Sequence, residues 1–356
     1  MPVYQDSTTK TWYVKCCYTD YTGTKHQRKK RGFKLQREAK EWERNFLETQ
    51  QAELTMTFEN FVEVYCNDMQ HRLRENTFRI KKHIIDTKIM PYFGQIPVCQ
   101  ITPASIRRWQ NELTAYKDKN GKGYSGTYLK CINNQLVAII NYADKYYSLK
   151  DNPCRRAGSM GKSRAKEMQI WTVDEFKVFL ANISDNPVSR AAFLLLYYTG
   201  IRPGELLALE YGDIDFDCCR LSINKSCQRI HGHDVITPPK TDKGIRTISI
   251  PEFLRDELKA YASMLYDLGE HDRLFTFLKT FLYAEMSRGT SDGTVKSIRV
   301  YDLRHSHVSL LIDLGFSAVA IADRLGHESA DTTMRIYAHL FPQRRDEIAD
   351  KLQSCI

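Results

Sequence analysis

The chain has 356 residues, longer than one compact domain usually is, so two or three domains are expected. With 42% hydrophobic and 27% charged residues, no signal-peptide pattern and no run of about 18 apolar residues, the sequence predicts an intracellular protein without a membrane segment. The 52 Lys and Arg exceed the 43 Asp and Glu, and the resulting charge of +9 is compatible with a polyanionic partner.

The N-terminal segment combines a strand pattern with a basic run. TWYVKCCY alternates as a strand does, and LQREAKEWERNFLETQQAEL (35–54) has helical spacing, so we place a first domain over residues 1–54. Between them, KHQRKKRGFK (25–34) carries six Lys or Arg and no carboxylate. Such a run is either a solvated loop or a grip on DNA phosphates. In the second case the DNA-binding residues are Lys25, Arg28, Lys29, Lys30, Arg31 and Lys34.

Residues 55–155 are predicted to form a helical domain. Apolar residues recur every three or four positions in TFENFVEVYCNDM, ASIRRWQNELTAY and GTYLKCINNQLVAIINYADKYY. Thr57, Thr102 and either Ser125 or Thr127 are the predicted helix starts. The next stretch, 151–167, is rich in Pro, Gly, Ser and basic residues, which predicts a linker; we place it at 156–168.

The C-terminal domain, residues 169–356, mixes helices with strands. SRAAFLLLYYTG and ELLALE are predicted helices on either side of the breaker IRPGE, and RLSINKS and RTISIP are predicted strands. The turn-rich ITPPKTDKG between the strands would place Lys240 on a β-hairpin. Three short helices, broken at Gly315 and Gly326, are expected from Tyr301 to Leu340. The expected fold class is multidomain α+β: a small β-rich N-terminal domain, a helical domain, and a mixed, mostly α C-terminal domain.

The stretch VYDLRHSH (300–307) concentrates groups that several chemistries use. His305 and His307 are two residues apart and would point about 200° apart on a helix, so they cannot share a metal ion. Ser306 and His305 are neighbours that face different ways, which excludes a Ser-His-Asp triad within this turn. The ten cysteines show no CxxC spacing, so free thiols and no metal site are expected.

A phosphate site fits the arginines better. Arg304 lies three residues after Tyr301, so a guanidinium and a hydroxyl can converge on one oxyanion. Arg202 immediately precedes Pro203 at a predicted helix start, near free backbone N–H groups. Each arginine taken alone is better explained by a structural salt bridge, for example between Arg202 and Glu205. Together they need a nucleophile before they indicate catalysis.

Four motifs, TGIRPGELLAL, PPKTDKGIRTI, YDLRHSH and LGHESADTTMRIYAHL, occur in the order and spacing of the tyrosine recombinases. The chain resembles the integrases of phages and conjugative transposons of Gram-positive bacteria. The resemblance implies that two arginines clamp the phosphate with a supporting carboxylate, that a lysine protonates the departing 5′ oxygen, that a histidine donates a hydrogen bond, and that a tyrosine attacks. In that order these residues are Arg202 and Arg304, Glu205, Lys240, His327 and Tyr337.

The resemblance also implies a reaction and its partners. DNA would be cut and rejoined through a 3′-phosphotyrosyl intermediate and a Holliday junction, without metal, ATP or other cofactor, to integrate and excise a mobile element. The implied partners are double-stranded DNA with arm-type and core-type sites, a homotetramer on that DNA and an excision accessory protein, in the bacterial cytoplasm. Two alternatives stay open: a DNA-binding regulator, since SAVAIADRLGHESADTTMRIYAHL can form a helix-turn-helix, and a type IB-like topoisomerase.

One position departs from the family pattern. The family usually has histidine three residues before its second arginine, and Tyr301 stands there in this chain. A phenol is a hydrogen-bond donor but a poor base near neutral pH. His305 is about 100° around a helix from Arg304, so we do not expect it to take over that place. The sequence predicts that Tyr301 bonds the phosphate, and that Tyr301→His raises cleavage if a base is missing.

Overall fold

The computed structural model describes residues 3–5, 9, 11–19, 25–50, 56–147, 149, 151–162, 168–239 and 241–340. The chain divides into two compact units, Met1–Lys166 and Glu167–Ile356. Within the described ranges, no helix combines the length and apolar character needed to cross a membrane.

The first unit starts with an antiparallel sheet in which β2 (Trp12–Thr19) lies between β1 (Val3–Gln5) and β3 (Lys25–Phe33). Helix α1 (Gln36–Gln50) follows and covers one face of this sheet. Val14 and Cys16 of β2 and Ala39 of α1 are buried together. The predicted strand and helix of the N-terminal region are therefore confirmed, and the basic run between them forms strand β3.

Helices and helical turns make up the rest of the first unit. A π-helical turn, Ile85–Ile89, connects α3 to α4, and a 3-10 turn, Val98–Gln100, precedes α5. The large side chains Phe58, Phe61 and Trp109 are each at most 1% exposed in the core. The α-helices are α2 (Phe58–Met69), α3 (Glu75–Ile84), α4 (Met90–Phe93), α5 (Pro103–Ala115), α6 (Gly126–Tyr147) and α7 (Pro153–Ala157).

Polar side chains start these helices where the sequence predicts. The hydroxyl of Thr57 accepts from the Asn60 N–H at 3.4 Å, and that of Thr102 accepts from the Ser105 N–H at 3.1 Å. For α6 the cap is Ser125 rather than Thr127. Helix α7 brings regular structure into the stretch 151–167 that composition predicts as a linker, because its N-cap Asn152 and following Pro153 favour a helix start there.

The second unit packs helices around two small β-structures. Strands β4 (Ile214–Asp215), β5 (Arg220–Ile223) and β8 (Arg246–Ser249) form one antiparallel sheet in that order, and β6 (Ser226–Ile230) pairs with β7 (His233–Thr237) as a hairpin. The helices are α8 (Val173–Asn182), α9 (Pro187–Thr199), α10 (Pro203–Leu206), α11 (Glu252–Ser263), α12 (Lys279–Gly289), α13 (Asp302–Asp313), α14 (Ala318–Leu325) and α15 (Ala330–Tyr337).

Helix α9 is the centre of this unit, and nearly all of its residues from Ser189 to Thr199 are buried. Its Tyr197 stacks on Phe176 of α8, with ring centroids 3.9 Å apart. At the start of the unit, the Trp171 N–H donates to the Ser306 hydroxyl of α13 at 2.9 Å. The predicted breaks among the last helices are confirmed, since α13 ends before Gly315 and α14 ends at Gly326. The multidomain α+β fold class is confirmed.

Candidate active site

Arg202 and Glu205 form a linked pair at the start of α10. The Glu205 carboxylate accepts from the Arg202 N–H at 2.9 Å and from its Nη1 at 2.6 Å. The Glu205 side chain is 4% exposed, whereas that of Arg202 is 37% exposed. Burial opposes the charge of Glu205, but hydrogen bonds and charge from Arg246 and Arg202 outweigh it and lower the pKa of the carboxyl group. Glu205 is thus an anion that holds an accessible guanidinium.

Arg304 is buried between the C-terminal ends of two helices. Its Nη1 donates to the Gly200 carbonyl after α9, and its Nη2 donates to the Leu325 carbonyl of α14, both at 2.7 Å. Carbonyls at helix C-termini lack intrahelical partners and carry partial negative charge, which favours a cation there. Burial, followed by the charge of Arg202, lowers the pKa of Arg304 to about 10, which leaves it cationic at neutral pH.

Glycine is required at both of these helix ends. Gly200 and Gly326 each have a φ of +65°, a conformation that favours glycine. A Cβ at Gly200 would lie 2.6 Å from the His307 ring, and one at Gly326 would lie 2.5 Å from the Lys243 carbonyl oxygen. The TG and LGH segments of the motifs therefore shape the helix ends whose carbonyls bind Arg304.

His327 follows Gly326 and faces the same cluster of cations. Its Nδ1 lies 2.8 Å from the Thr333 hydroxyl of α15. Burial, and then the charges of Arg304, Arg202 and Arg246, lower the pKa of His327 to about 4. The imidazole is therefore neutral at physiological pH and keeps one N–H to donate.

Tyr337 ends α15 and is 1% exposed, packed with Val308, Ile321 and Leu325. Burial raises its pKa above the ordinary value for tyrosine, and the nearby charge of Arg304 opposes that rise. The Tyr337 hydroxyl makes a hydrogen bond with Nδ1 of His305. This contact of His305 is not evident from the sequence, because the two residues are 32 positions apart and only the packing of α13 on α15 brings them together.

Tyr301 is the N-cap residue of α13, and the residue is 44% exposed. Burial lowers the pKa of Arg202, but the interactions with Glu205 and with nearby Tyr301 outweigh it and leave that pKa raised. The Tyr301 ring also meets the His305 ring edge-on, with centroids 5.5 Å apart. Tyr301 is therefore adjacent to both an arginine of the site and the histidine that contacts Tyr337.

Lys240 lies outside the described residues, between β7 and β8. The strands predicted on either side of it, RLSINKS and RTISIP, contain β5 and β8. The hairpin of β6 and β7 lies between them in the chain, and β7 ends at Thr237, before Lys240. The structure therefore brings together Arg202, Glu205, Tyr301, Arg304, His327 and Tyr337 and adds His305 and Arg246.

The predicted DNA-binding run of the N-terminal region is divided between two faces of its sheet. Residues directly opposite in an antiparallel pair share a face, and Arg28 and Lys30 are opposite the buried Cys16 and Val14. Lys30 accordingly lies over the Trp42 ring of α1, at 4.9 Å from its centroid. Successive side chains of a strand point to opposite faces of the sheet. The other face therefore carries Lys29 paired with Lys15 and Arg31 paired with Tyr13. Lys34 is exposed just beyond β3, and the Lys25 side chain lies outside the described part.

Three family models match the chain. The model described as Arm DNA-binding domain matches residues 2–50, and that described as Phage integrase, N-terminal SAM-like domain, matches 57–114. The model described as Phage integrase family matches residues 170–344, which contain every described residue of the site.

Relatives and solved structures agree with these matches. The chain is 31% identical over 316 residues to the ICEBs1 integrase of Bacillus subtilis, covering 85% of this chain and 84% of that protein. It is 26% identical over 287 residues to a Tyrosine recombinase XerC-like protein of Caldanaerobacter subterraneus, covering 71% of each.

Two solved structures share the fold. The Tn1549 transposon integrase in complex with transposon right end DNA matches with a TM-score of 0.67 at 19% identity, covering 85% of this chain and all of that one. A lambda integrase tetramer bound to a Holliday junction matches with a TM-score of 0.60 at 18% identity, covering 96% and 95%. A regulator without chemistry and a topoisomerase are not favoured by these relatives. The chain belongs to the phage integrase family and is a tyrosine-type site-specific DNA recombinase.

Proposed function

We propose that the described site cuts and rejoins DNA with Tyr337 as the nucleophile. The observation that carries the proposal is the gathering of cationic and hydrogen-bonding groups around this residue. The positive charge of Arg202 lowers the pKa of Arg304, and the charges of both arginines lower the pKa of His327. The charge of Arg304 also opposes the rise in the pKa of Tyr337. A phosphodiester bound here would lie near the positive charges of Arg202 and Arg304 and next to the phenol of Tyr337.

In this proposal the arginines neutralise the scissile phosphate. Guanidinium groups bind phosphate oxygens bidentately and stabilise the extra charge of a pentavalent transition state. Arg202 is the more accessible clamp, with Glu205 fixing its orientation. Arg304 uses two of the five N–H donors of a guanidinium to fix its own position. Neutral His327 and the Tyr301 hydroxyl supply further hydrogen bonds.

The reaction is a reversible transesterification. Tyr337 attacks the phosphorus, a 3′-phosphotyrosyl bond forms, and the 5′ oxygen leaves with a proton that we assign to Lys240. The phosphotyrosyl bond retains the energy of the phosphodiester, so a second 5′ hydroxyl can reverse the step without ATP or metal. Strand exchange through a Holliday junction follows, and the mobile element is integrated or excised.

We further propose a separate function for each domain of the chain. Residues 1–54 would bind arm-type DNA, 55–155 core-type DNA, and 169–356 catalyse, with 156–168 as linker. The family model over 2–50 supports the first assignment by its description, and the model over 57–114 supports a separate domain in the second region. Four active sites are needed to exchange strands between two duplexes, so we propose a homotetramer, as in the lambda integrase structure on a Holliday junction. An excision accessory protein and a location in the bacterial cytoplasm, with the DNA, complete the proposal.

A covalent trapping experiment tests the nucleophile. The full chain is incubated with nicked duplexes tiled across the DNA on either side of its gene, so that a cleaved fragment is lost and the adduct accumulates. We expect wild type to form a protein–DNA adduct that resists denaturation and Tyr337→Phe to form none. Equal adduct from both proteins would assign the nucleophile elsewhere, and no adduct from either on any duplex would contradict the proposal.

A further inference from the structure

The hydroxyl of Tyr337 has a defined partner, His305. Nδ1 of His305 is within hydrogen-bond distance of Tyr337 Oη, and the ring centroids are 5.6 Å apart. Tyr337 is 1% exposed and His305 is half-buried, so the contact is largely shielded from solvent. The neighbours of His305 on α13 have other partners: Arg304 donates to two backbone carbonyls, and the Ser306 hydroxyl accepts from the Trp171 N–H.

The attack by Tyr337 needs a proton acceptor. A phenol with a pKa of ~10 is only about 0.1% ionised at pH 7, and burial raises the pKa of Tyr337 further. Tyr301, in the place where the family usually has histidine, is a poor base. His327 has its Nδ1 engaged with Thr333. In the described part of the chain, His305 is the basic side chain in contact with the attacking oxygen.

We propose that His305 is the general base of the cleavage step, an inference that rests on the function proposed above. Nδ1 of the neutral, Nε2-protonated imidazole accepts the Tyr337 proton while an electron pair of Oη forms the bond to phosphorus. The bond from phosphorus to the 5′ oxygen breaks, and that oxygen takes its proton from the general acid. In rejoining, a 5′ hydroxyl attacks phosphorus and returns a proton to that acid. The Tyr337–phosphorus bond breaks, and imidazolium His305 gives its proton back to Oη.

Burial and nearby charged groups keep His305 in the neutral form that a general base needs. Burial lowers the pKa of His305, the positive charges of Arg304 and Arg299 lower it further, and Asp302 opposes them. The imidazole is therefore neutral and able to accept a proton at pH 7, and cleavage is lost as pH falls through its pKa. The titratable and charged groups that face it are Asp302, Arg299, Arg304, Tyr301, His327 and Tyr337.

Single-turnover cleavage of a nicked duplex that wild type cuts tests the assignment. His305→Gln keeps a hydrogen-bonding side chain but cannot take the proton, and we expect cleavage to slow by ~10²–10⁴-fold. His305→Ala should be slow and should recover rate as free imidazole is added. His271→Gln is the matched control, because that side chain is 95% exposed and lies beside Glu210, which is not a residue of the site, and the variant should cleave at the wild-type rate.

A substrate with sulfur in place of the bridging 5′ oxygen separates the base from the acid. Sulfur leaves without protonation, so this substrate should leave the His305→Gln defect intact. Wild-type cleavage by His305→Gln, restoration of its rate by the sulfur substrate, or no response of His305→Ala to imidazole would each overturn the proposal. Wild type and Tyr337→Phe are run alongside: if they form equal adduct, the proposed nucleophile fails, which is distinct from a failure of His305 alone.

Discussion

Arg246 and Glu205 form a bidentate ion pair in the interior of the second unit. Nη2 of Arg246 donates to one carboxylate oxygen at 2.9 Å, and Nη1 donates to the other at 3.3 Å. The two side chains are 6% and 4% exposed. Nε of Arg246 also donates to the Arg324 carbonyl of α14 at 2.9 Å, so one guanidinium connects α14 to the carboxylate that holds Arg202.

Arg246→Ala should therefore reduce both stability and cleavage. Removing one partner of a buried pair leaves a poorly compensated charge, which typically lowers the free energy of unfolding by ~3–5 kcal/mol. Arg229→Ala is the control, since its pair with Asp234 is exposed and should be worth ~1 kcal/mol or less. Denaturant unfolding and single-turnover cleavage measure the two effects. Equal losses from both variants would show that Arg246 does not hold the site together.

Tyr301→His should change cleavage little in the wild-type background. The sequence predicts an increase if a base is missing, but His305 already contacts the Tyr337 hydroxyl. In a His305→Gln background the same substitution should raise the rate, because a histidine beside Arg202 would then supply the missing base. A double-mutant cycle of cleavage rates measures this coupling. A large increase from Tyr301→His alone would mean that His305 does not act as a base.

The two faces of β3 should differ in their effect on DNA binding. Lys29→Ala with Arg31→Ala removes two charges from the face opposite α1, and Arg28→Ala with Lys30→Ala removes two from the face toward α1. If the face opposite α1 binds phosphates, the Lys29 and Arg31 substitutions should reduce the slope of log affinity against log salt concentration by about 2. The Arg28 and Lys30 substitutions should reduce that slope much less. Fluorescence anisotropy of the full chain on duplex DNA over a salt series measures both. Equal slopes would refute the assignment of faces.

Removal of residues 1–54 is a separate test of the domain proposal. We expect the shortened chain to lose arm-type binding and to keep Tyr337-dependent adduct formation on the nicked core duplex. Undiminished arm-type binding would contradict the assignment of that segment.

Gly200→Ala should destabilise the second unit and slow cleavage. The residue has a φ of +65°, and a Cβ would lie 2.6 Å from the His307 ring. Backbone strain of this kind costs ~1–3 kcal/mol, and the clash would displace the carbonyl that binds Arg304. Gly232→Ala on the β6–β7 turn has a φ of +84° and no atom within 4 Å of the Cβ, so it isolates the strain from the clash. Denaturant unfolding should show a larger loss for Gly200→Ala than for Gly232→Ala.

Local signals in the sequence predict much of the fold. Helix caps and helix ends depend on hydrogen bonds between residues only a few positions apart, so the sequence alone can predict them. This applies to the caps Thr57, Thr102 and Ser125 and to the helix end at Gly326. The four motifs likewise point to the family, because their residue types and order are properties of the sequence. The stretch 151–167 shows the limit of composition, since α7 starts there on an Asn-Pro pair.

Tertiary packing decided which of the chemically suitable side chains meet. Arg304 binds a carbonyl 104 residues away, Arg246 binds a carboxylate 41 residues away, and His305 meets a phenol 32 residues away. Helical spacing places His305 on a face of α13 but cannot tell which element covers that face. The order and residue types of the motifs are enough to identify the arginines, histidines and tyrosine expected of a recombinase. The packing of α13 against α15 is what places His305 in contact with the Tyr337 hydroxyl, because such contacts depend on how helices pack and not on neighbours in the chain.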